Sequence, residues 1–285
     1  MNSTLALSMT TSIKIVHWVS TPSLQRLVLP LLIGVMISLS LPYFIGDSPT
    51  VAEFDAVPAT LCLCLSFLLL INSPLIEPRF TDNVFAITLA ILLAFPSFQG
   101  TLAVLLFLAI WIGNHNLRSN TRLRTCAVII AVCALQTLLV FYALKWFTEP
   151  VLAIDAKLVA SILSLVTGSG YATSNVYAGP SEYQVLMLRN CSSLPTLISA
   201  FTCWFAIARW HGIAFTLREC TVVLTLMLFT LSLNIMRLFS MGISMQWHAW
   251  WHSALGKDTY LFISVVLTLS IIFWGIRYAK TEHNH

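Results

Sequence analysis

The stretch TCAVIIAVCALQTLLVFYALKWF, residues 125–147, decides the class of this protein. Lys145 is its only charged residue, and the run is longer than the roughly 20 apolar residues that a helix needs to cross a bilayer. Further apolar runs recur along the chain, at about 27–45, 57–76, 84–98, 101–113, 192–208, 220–238 and 259–276. This pattern predicts an all-α polytopic membrane protein.

The composition excludes two other classes of protein. Of 285 residues, 58% are hydrophobic and only 9% are charged, whereas a soluble domain carries about 25% charged residues. The apolar and aromatic content is too high for a disordered chain. The net charge of +4 is spread thinly, without the basic stripe that binds nucleic acid. We therefore expect membrane lipids, and no nucleic acid, around this chain.

The basic residues predict the orientation and number of the spans. The segment 115–124, with Arg118, Arg122 and Arg124, is the most basic short loop, and the positive-inside rule assigns such loops to the cytoplasm. A turn at Pro96–Gly100, which makes a hairpin of the third and fourth runs, gives eight spans with both termini inside. Ten of the 15 basic residues are then cytoplasmic. A single fused helix would break this bias, so we predict about eight transmembrane helices.

Residues 148–190 form the longest stretch between apolar runs, on the predicted outer side. Its first half sets Asp155 and Lys157 among apolar residues, which predicts a short amphipathic helix lying on the membrane. Its second half is rich in Gly, Ser and Tyr and ends in a β-prone run, which predicts a loop or short hairpin packed over the bundle. The chain thus divides into a cytoplasmic segment at 1–26, an N-terminal transmembrane bundle at 27–147 and a second region at 148–285.

Three polar clusters fall at predicted span ends on the outer face, and such residues are the informative ones in a membrane protein. The first is RNCSSLP at 189–195. The second is Asn234 with Arg237, at the end of the seventh run. The third is WHAWWHSALG at 247–256, before the last run.

These residue types suit covalent catalysis by a thiol. Cys191 attacks as a thiolate, which a nearby arginine or imidazolium favours. A histidine can take the thiol proton and return it to a leaving amine. Arg237 can stabilise the oxyanion of a tetrahedral intermediate. Asn234 and Arg189 are further candidates near the site, and a hydrogen bond from Asn234 would orient Arg237.

Each cluster also has a structural explanation. Cys191 can be a small buried hydrophobe like the other six cysteines, and Arg237 can extend to lipid headgroups. The histidines and the three neighbouring tryptophans can form an interfacial aromatic belt. His248 and His252 can also share a zinc ion, but no nearby Asp or Glu completes that ligand set convincingly, and we expect neither a metal nor a cofactor.

Taken together, the clusters resemble the exosortase/archaeosortase family of membrane transpeptidases. The similarity lies in C-S-S-L at 191–194, N-x-x-R at 234–237 and H-x-x-x-G at 252–256, in this order and on one predicted face. It covers about residues 150–275. The amino-terminal spans are similar only in hydrophobicity.

The resemblance implies a catalytic region at 148–285, with Cys191 as the nucleophile and with Arg237 and His252 completing the site. It also implies substrates that are exported proteins ending in a short motif such as PEP, an apolar helix and a basic tail. The family usually has C-S-G, whereas this chain has Ser193 in place of that glycine. This difference leaves the chemistry intact and the substrate motif open.

The leading hypothesis is a cysteine transpeptidase or protease of the cytoplasmic (inner) membrane, which cleaves such carboxy-terminal signals at the outer face through a thioester. The alternative is a non-enzymatic polytopic membrane protein, either a transporter or an envelope-assembly subunit. A third hypothesis is a membrane acyltransferase that uses the same cysteine. Transport is disfavoured because charged residues are absent from the middle of the predicted spans.

Overall fold

The computed structural model describes residues 23–45, 52–95, 97–115, 120–180, 183–213 and 216–280. The predicted cytoplasmic segment 1–26 lies almost wholly outside these residues. The described part of the chain is predominantly α-helical, with one small sheet. Its helices are α1 Leu24–Ile45, α2 Ala52–Ile71, α3 Phe80–Ala94, α4 Phe98–Asn114, α5 Thr121–Trp146, α6 Thr148–Thr167, α7 Ser193–Trp210, α8 Leu217–Ile243, α9 Met245–His252 and α10 Ala254–Lys280.

The third and fourth apolar runs form two antiparallel helices, as the predicted hairpin requires. Phe95, which precedes a proline, is extended and ends α3. Ser97 caps α4 by accepting a hydrogen bond from the Gly100 N–H (3.0 Å). The ring centroids of Phe85 and Trp111 lie 5.2 Å apart, so α4 runs back along α3. The predicted break between these runs is confirmed.

Among the described helices, four are long and apolar enough to cross a membrane, namely α5, α6, α8 and α10. The helices α3 and α4 and parts of α1 and α2 are apolar but shorter. Together they support the membrane class that the composition predicts. They do not establish eight spans. The helix α7, which was predicted to span the membrane, is not among the four. The helix α6, which was predicted to lie on the membrane surface, is among them. The number of spans stays a prediction.

Three apolar clusters hold the described elements together. One is formed mainly by α1 to α5, with Leu63, Leu105 and Ile130 fully buried. A second joins α7, α8 and α10 around the fully buried Trp204. The third, which we call the Cys191 cluster, joins α6, the sheet and the end of α8. Its members are Leu152, Ala156, Val159, Ala160, Leu163, Tyr177, Val185, Met187, Cys191, Leu238 and Met241.

One face of α6 and the small sheet supply most of the Cys191 cluster. Buried residues recur every three or four positions in α6, as the helical period requires, and the helix ends at Gly168 with a φ of 75°. The strands β1 Tyr171–Thr173, β2 Val176–Ala178 and β3 Gln184–Leu186 are antiparallel and lie in this order. The predicted loop or hairpin lacked the third strand, which pairs Val185 with Tyr177 and thereby brings both into the cluster.

Candidate active site

Cys191 lies in a short turn that leads into α7. Residues Arg189–Cys191 form one turn of 3-10 helix, in which the Cys191 N–H donates to the Leu188 carbonyl (2.9 Å). Ser192 caps α7, since its hydroxyl accepts a hydrogen bond from the Leu194 N–H (3.3 Å). Cys191 is only 6% exposed and is a free thiol. The turn therefore presents a reduced, buried cysteine at the start of a helix.

Asn234 of α8 holds this turn. Its Nδ2 donates to the Cys191 carbonyl oxygen (3.0 Å) and to the Ser193 hydroxyl (2.9 Å). Its Oδ1 accepts a hydrogen bond from the Tyr260 hydroxyl of α10 (3.3 Å). These partners correct the expectation that Asn234 orients Arg237, because the amide is used to tie α8 and α10 to the Cys191 turn.

Arg237 lies one helical turn after Asn234 and is buried with it. Its side chain stacks on Tyr260, with the guanidinium carbon 4.4 Å from the ring centroid, and only 9% of the residue is exposed. Its Nε is buried without a hydrogen-bond partner among the described residues. A fixed, charged donor with free hydrogen-bonding capacity is thus available at this position.

Tyr177 lies in the same buried cluster as Cys191 and is hydrogen-bonded to the residue that follows Arg237. The tyrosine is fully buried in β2, and its hydroxyl donates to the Leu238 carbonyl (2.7 Å). Burial raises the pKa of Tyr177, the charge of Cys191 raises it further and the charge of Arg237 opposes this. Both side chains are therefore close enough to act electrostatically on the same phenol. Tyr177 was not among the candidates marked by the sequence, where it lies in the stretch rich in Gly, Ser and Tyr that precedes the β-prone run.

The two histidines lie on a helix, α9, and not in a loop as predicted. Their ring centroids are 4.5 Å apart, His248 being half-buried and His252 exposed. Partial burial lowers the pKa of His252, and the charges of His248, Arg237 and Lys257 lower it further. The lowered pKa favours the neutral imidazole, which is the form that acts as a base. No hydrogen bond joins the side chains of His252 and Cys191, both of which lie in the described part of the chain.

Close packing fixes α9 against its neighbours. Trp251 packs against the Cys191 cluster and donates its Nε1–H to the Ser240 hydroxyl (2.6 Å). Tyr183, just before β3, lies 3.4 Å from His248 Nδ1 through its hydroxyl. A Cβ atom on Gly256 would lie 2.1 Å from the Trp250 carbonyl oxygen, so only glycine allows α10 to begin this close to α9. This close approach explains the glycine of H-x-x-x-G.

The geometry supports neither a role for Arg189 in the site nor a zinc ion bound by the two histidines. The Arg189 side chain is exposed, and no hydrogen bond or ion pair joins it to Cys191, Arg237 or His252 among the described residues. The same part of the chain has no group of three or more His, Cys, Asp or Glu side chains that could hold a metal. A zinc ion shared by His248 and His252 would lack further ligands from the described residues.

The other six cysteines are also free thiols. Four of them are buried in the apolar clusters, as expected for small hydrophobes, and two are exposed on their helices. The buried ones are Cys62, Cys126, Cys133 and Cys203, and the exposed ones are Cys64 and Cys220. Cys191 differs from all of them in lying in the cluster that also contains Leu238, the residue after the buried Arg237.

Comparison with protein families, with curated proteins and with solved structures finds no match to this chain. A functional assignment therefore depends on the motif resemblance and on the geometry of these residues.

Proposed function

We propose that this protein is an exosortase-like cysteine transpeptidase or peptidase of the cytoplasmic (inner) membrane. In the proposed topology, eight spans place both termini in the cytoplasm and the Cys191 turn at the outer face. The substrates are exported proteins with a carboxy-terminal motif, an apolar helix and a basic tail. The enzyme removes this tail and leaves the processed protein at the outer face.

The burial of Arg237 is the observation that carries the proposal. A buried cation is costly unless an anion or a dense set of hydrogen bonds compensates it. The ion pairs of the described residues are Asp82–His115 and Arg209–Glu219, and neither includes Arg237. The Tyr260 ring offsets only part of the cost, about 2 kcal/mol for a desolvated pair. A negative charge that forms during a reaction would supply the remainder.

Cys191 is the source of that charge in the proposed mechanism. Its thiolate sulfur forms a bond with the carbonyl carbon of the scissile peptide, and the carbonyl oxygen becomes an oxyanion that Arg237 stabilises. The peptide C–N bond then breaks, giving a thioester. His252 takes the thiol proton and passes it to the leaving amine. An amine or water next attacks the thioester and restores the thiol.

The described conformation is closed to a large substrate. Both Cys191 and Arg237 are less than a tenth exposed, and Trp251 packs against the Cys191 cluster. Substrate binding must therefore displace part of α9. Such a movement, or a bridging water, would also bring His252 within proton-transfer reach of Cys191.

Processing of a reporter protein tests this function directly. The reporter carries a PEP-like motif, an apolar helix and an arginine-rich tail at its carboxy terminus and is co-expressed with the full-length enzyme. We expect the wild type to shorten the reporter, Cys191→Ala to leave it intact and Cys203→Ala, a buried cysteine of α7, to behave like the wild type. Mass spectrometry of the enzyme should detect a hydroxylamine-sensitive adduct on Cys191.

Two outcomes would count against the proposal. Processing by Cys191→Ala at the wild-type rate would exclude this cysteine as the nucleophile and favour the non-enzymatic alternative. A lipid chain in the adduct, with the reporter intact, would favour the acyltransferase.

A further inference from the structure

A buried carboxylate lies against the turn that carries Cys191. Asp155 of α6 is only 6% exposed, and its Oδ2 accepts a hydrogen bond from the Ser193 N–H (2.8 Å). No cation pairs with Asp155 among the described residues. The carboxylate is therefore held by the backbone N–H of the second residue after the cysteine.

A chain of hydrogen bonds joins Asp155 to the Cys191 carbonyl through Ser193 and Asn234. Ser193 donates its N–H to Asp155 (2.8 Å), and its hydroxyl accepts a hydrogen bond from Asn234 Nδ2 (2.9 Å). The same amide group donates to the Cys191 carbonyl (3.0 Å). A glycine at position 193 would keep the N–H but lose the hydroxyl that binds Asn234, and so would break the connection. Asp155 is 38 residues from Ser193 in sequence, so only the fold joins them.

The start of α7 offsets part of the cost of burying Asp155. Ser193 is the first residue of α7, where backbone N–H groups lack partners within the helix and the helix dipole attracts negative charge. A carboxylate bound there fixes the start of α7 relative to α6. Because Cys191 is two residues earlier, the same contacts restrict where its thiol can lie.

We propose that Asp155 is a positioning residue for Cys191 and acts through Ser193 and Asn234. It holds the thiol within the Cys191 cluster, near the turn of α8 that carries Arg237, and loss of the carboxylate releases the Cys191 turn. The proposal rests on the proposed function only in taking Cys191 as the nucleophile. Ser193 is the residue that hydrogen-bonds to both Asp155 and Asn234.

Alkylation of Cys191 in the full-length protein, in membranes, tests the proposal without any substrate. The rates with neutral iodoacetamide and with anionic iodoacetate are measured for individual cysteines by peptide mass spectrometry. We expect Asp155→Asn to raise the iodoacetamide rate of Cys191 about tenfold, since a hydrogen bond to a charged group is lost. The ratio of the iodoacetate to the iodoacetamide rate should fall about fivefold, because the thiol moves away from the Arg237 charge.

Two controls separate positioning from general loosening. Cys203, which is as deeply buried on α7, should keep its wild-type rates, and Glu149→Gln, which removes an exposed carboxylate from α6, should change nothing. Ser193→Gly should reproduce the effect of Asp155→Asn. The double variant Asp155→Asn/Ser193→Gly should show alkylation rates close to those of either single variant, because both changes break the link from Asp155 to Asn234.

The outcomes distinguish this proposal from the proposed function. An unchanged reagent ratio at Cys191, or an equal rise in the rates of Cys191 and Cys203, would overturn the positioning role. Normal reporter processing by Cys191→Ala would overturn the proposed function but would not alter the alkylation rates.

Discussion

Replacement of Arg237 by lysine separates a catalytic arginine from one that merely extends to lipid headgroups. A lysine reaches headgroups as easily as an arginine does, so a purely structural Arg237 should tolerate Arg237→Lys. A guanidinium that binds an oxyanion through its planar set of donors should not. We expect Arg237→Lys to keep expression and topology but to slow reporter processing.

The structure sets the size of the expected loss. Lysine keeps the charge but loses Nε, which has no partner among the described residues, and the planar stacking 4.4 Å above Tyr260. Loss of one good oxyanion donor costs roughly 3–4 kcal/mol, and the retained charge offsets part of this. We therefore expect the barrier to rise by about 1.4–4 kcal/mol, which slows processing by one to three orders of magnitude.

Single-turnover processing of the reporter, with Arg189→Lys as the matched control, measures this effect. Arg189 is two residues before Cys191 but exposed, so its lysine variant should process the reporter at nearly the wild-type rate. Thermal unfolding in detergent shows whether both variants are folded. A fully active Arg237→Lys would refute the role assigned to Arg237, even if Cys191 remains the nucleophile.

Three further predictions concern the histidines, Gly256 and the topology. His252→Ala should be as damaging as Arg237→Lys, whereas His248→Ala should be mild at pH 8. His248 lowers the pKa of His252, so His248→Ala should also move the acid limb of the pH–rate profile of processing to higher pH. Equal loss of processing in His248→Ala and His252→Ala would favour a paired-histidine metal site. Gly256→Ala should lower the free energy of unfolding by about 1–3 kcal/mol, since the new Cβ would lie 2.1 Å from the Trp250 carbonyl oxygen. Thermal melts measure this, and an unchanged melting temperature would contradict the packing of α9 against α10. The topology is tested in a variant without native cysteines, with a membrane-impermeant maleimide added outside. It should label Thr173→Cys and not Thr121→Cys, and the reverse result would exclude the proposed topology.

Local hydrophobicity accounts for the part of the fold that was predictable. Each of the eight apolar runs overlaps a helix, and Pro96 marks the break between α3 and α4. Both features depend on residues that are neighbours in the chain. The helix at α9 was taken for a loop because its eight residues mix histidine and tryptophan without an apolar period.

The polar motifs identified part of the candidate site for a different reason. Asn234 and Arg237 are one helical turn apart, so their proximity follows from the helix itself. That Asn234 contacts the Cys191 turn, and not Arg237, depends on how α8 packs against the start of α7. The exposed position of Arg189 likewise depends on the direction of a short turn, which the residue spacing does not encode.

The sequence by itself determined that this is a helical membrane protein, and it marked a cysteine, an arginine and a histidine as candidates. Tertiary structure alone decided that Cys191 is buried among Tyr177, Asn234 and Asp155. These side chains come from β2, α8 and α6, and the contact of Asn234 with Cys191 spans 43 residues of sequence. Periodicity reports which face of an element is apolar, but not which distant polar group that face meets. Those contacts form only when several elements pack together and their buried polar groups must find partners.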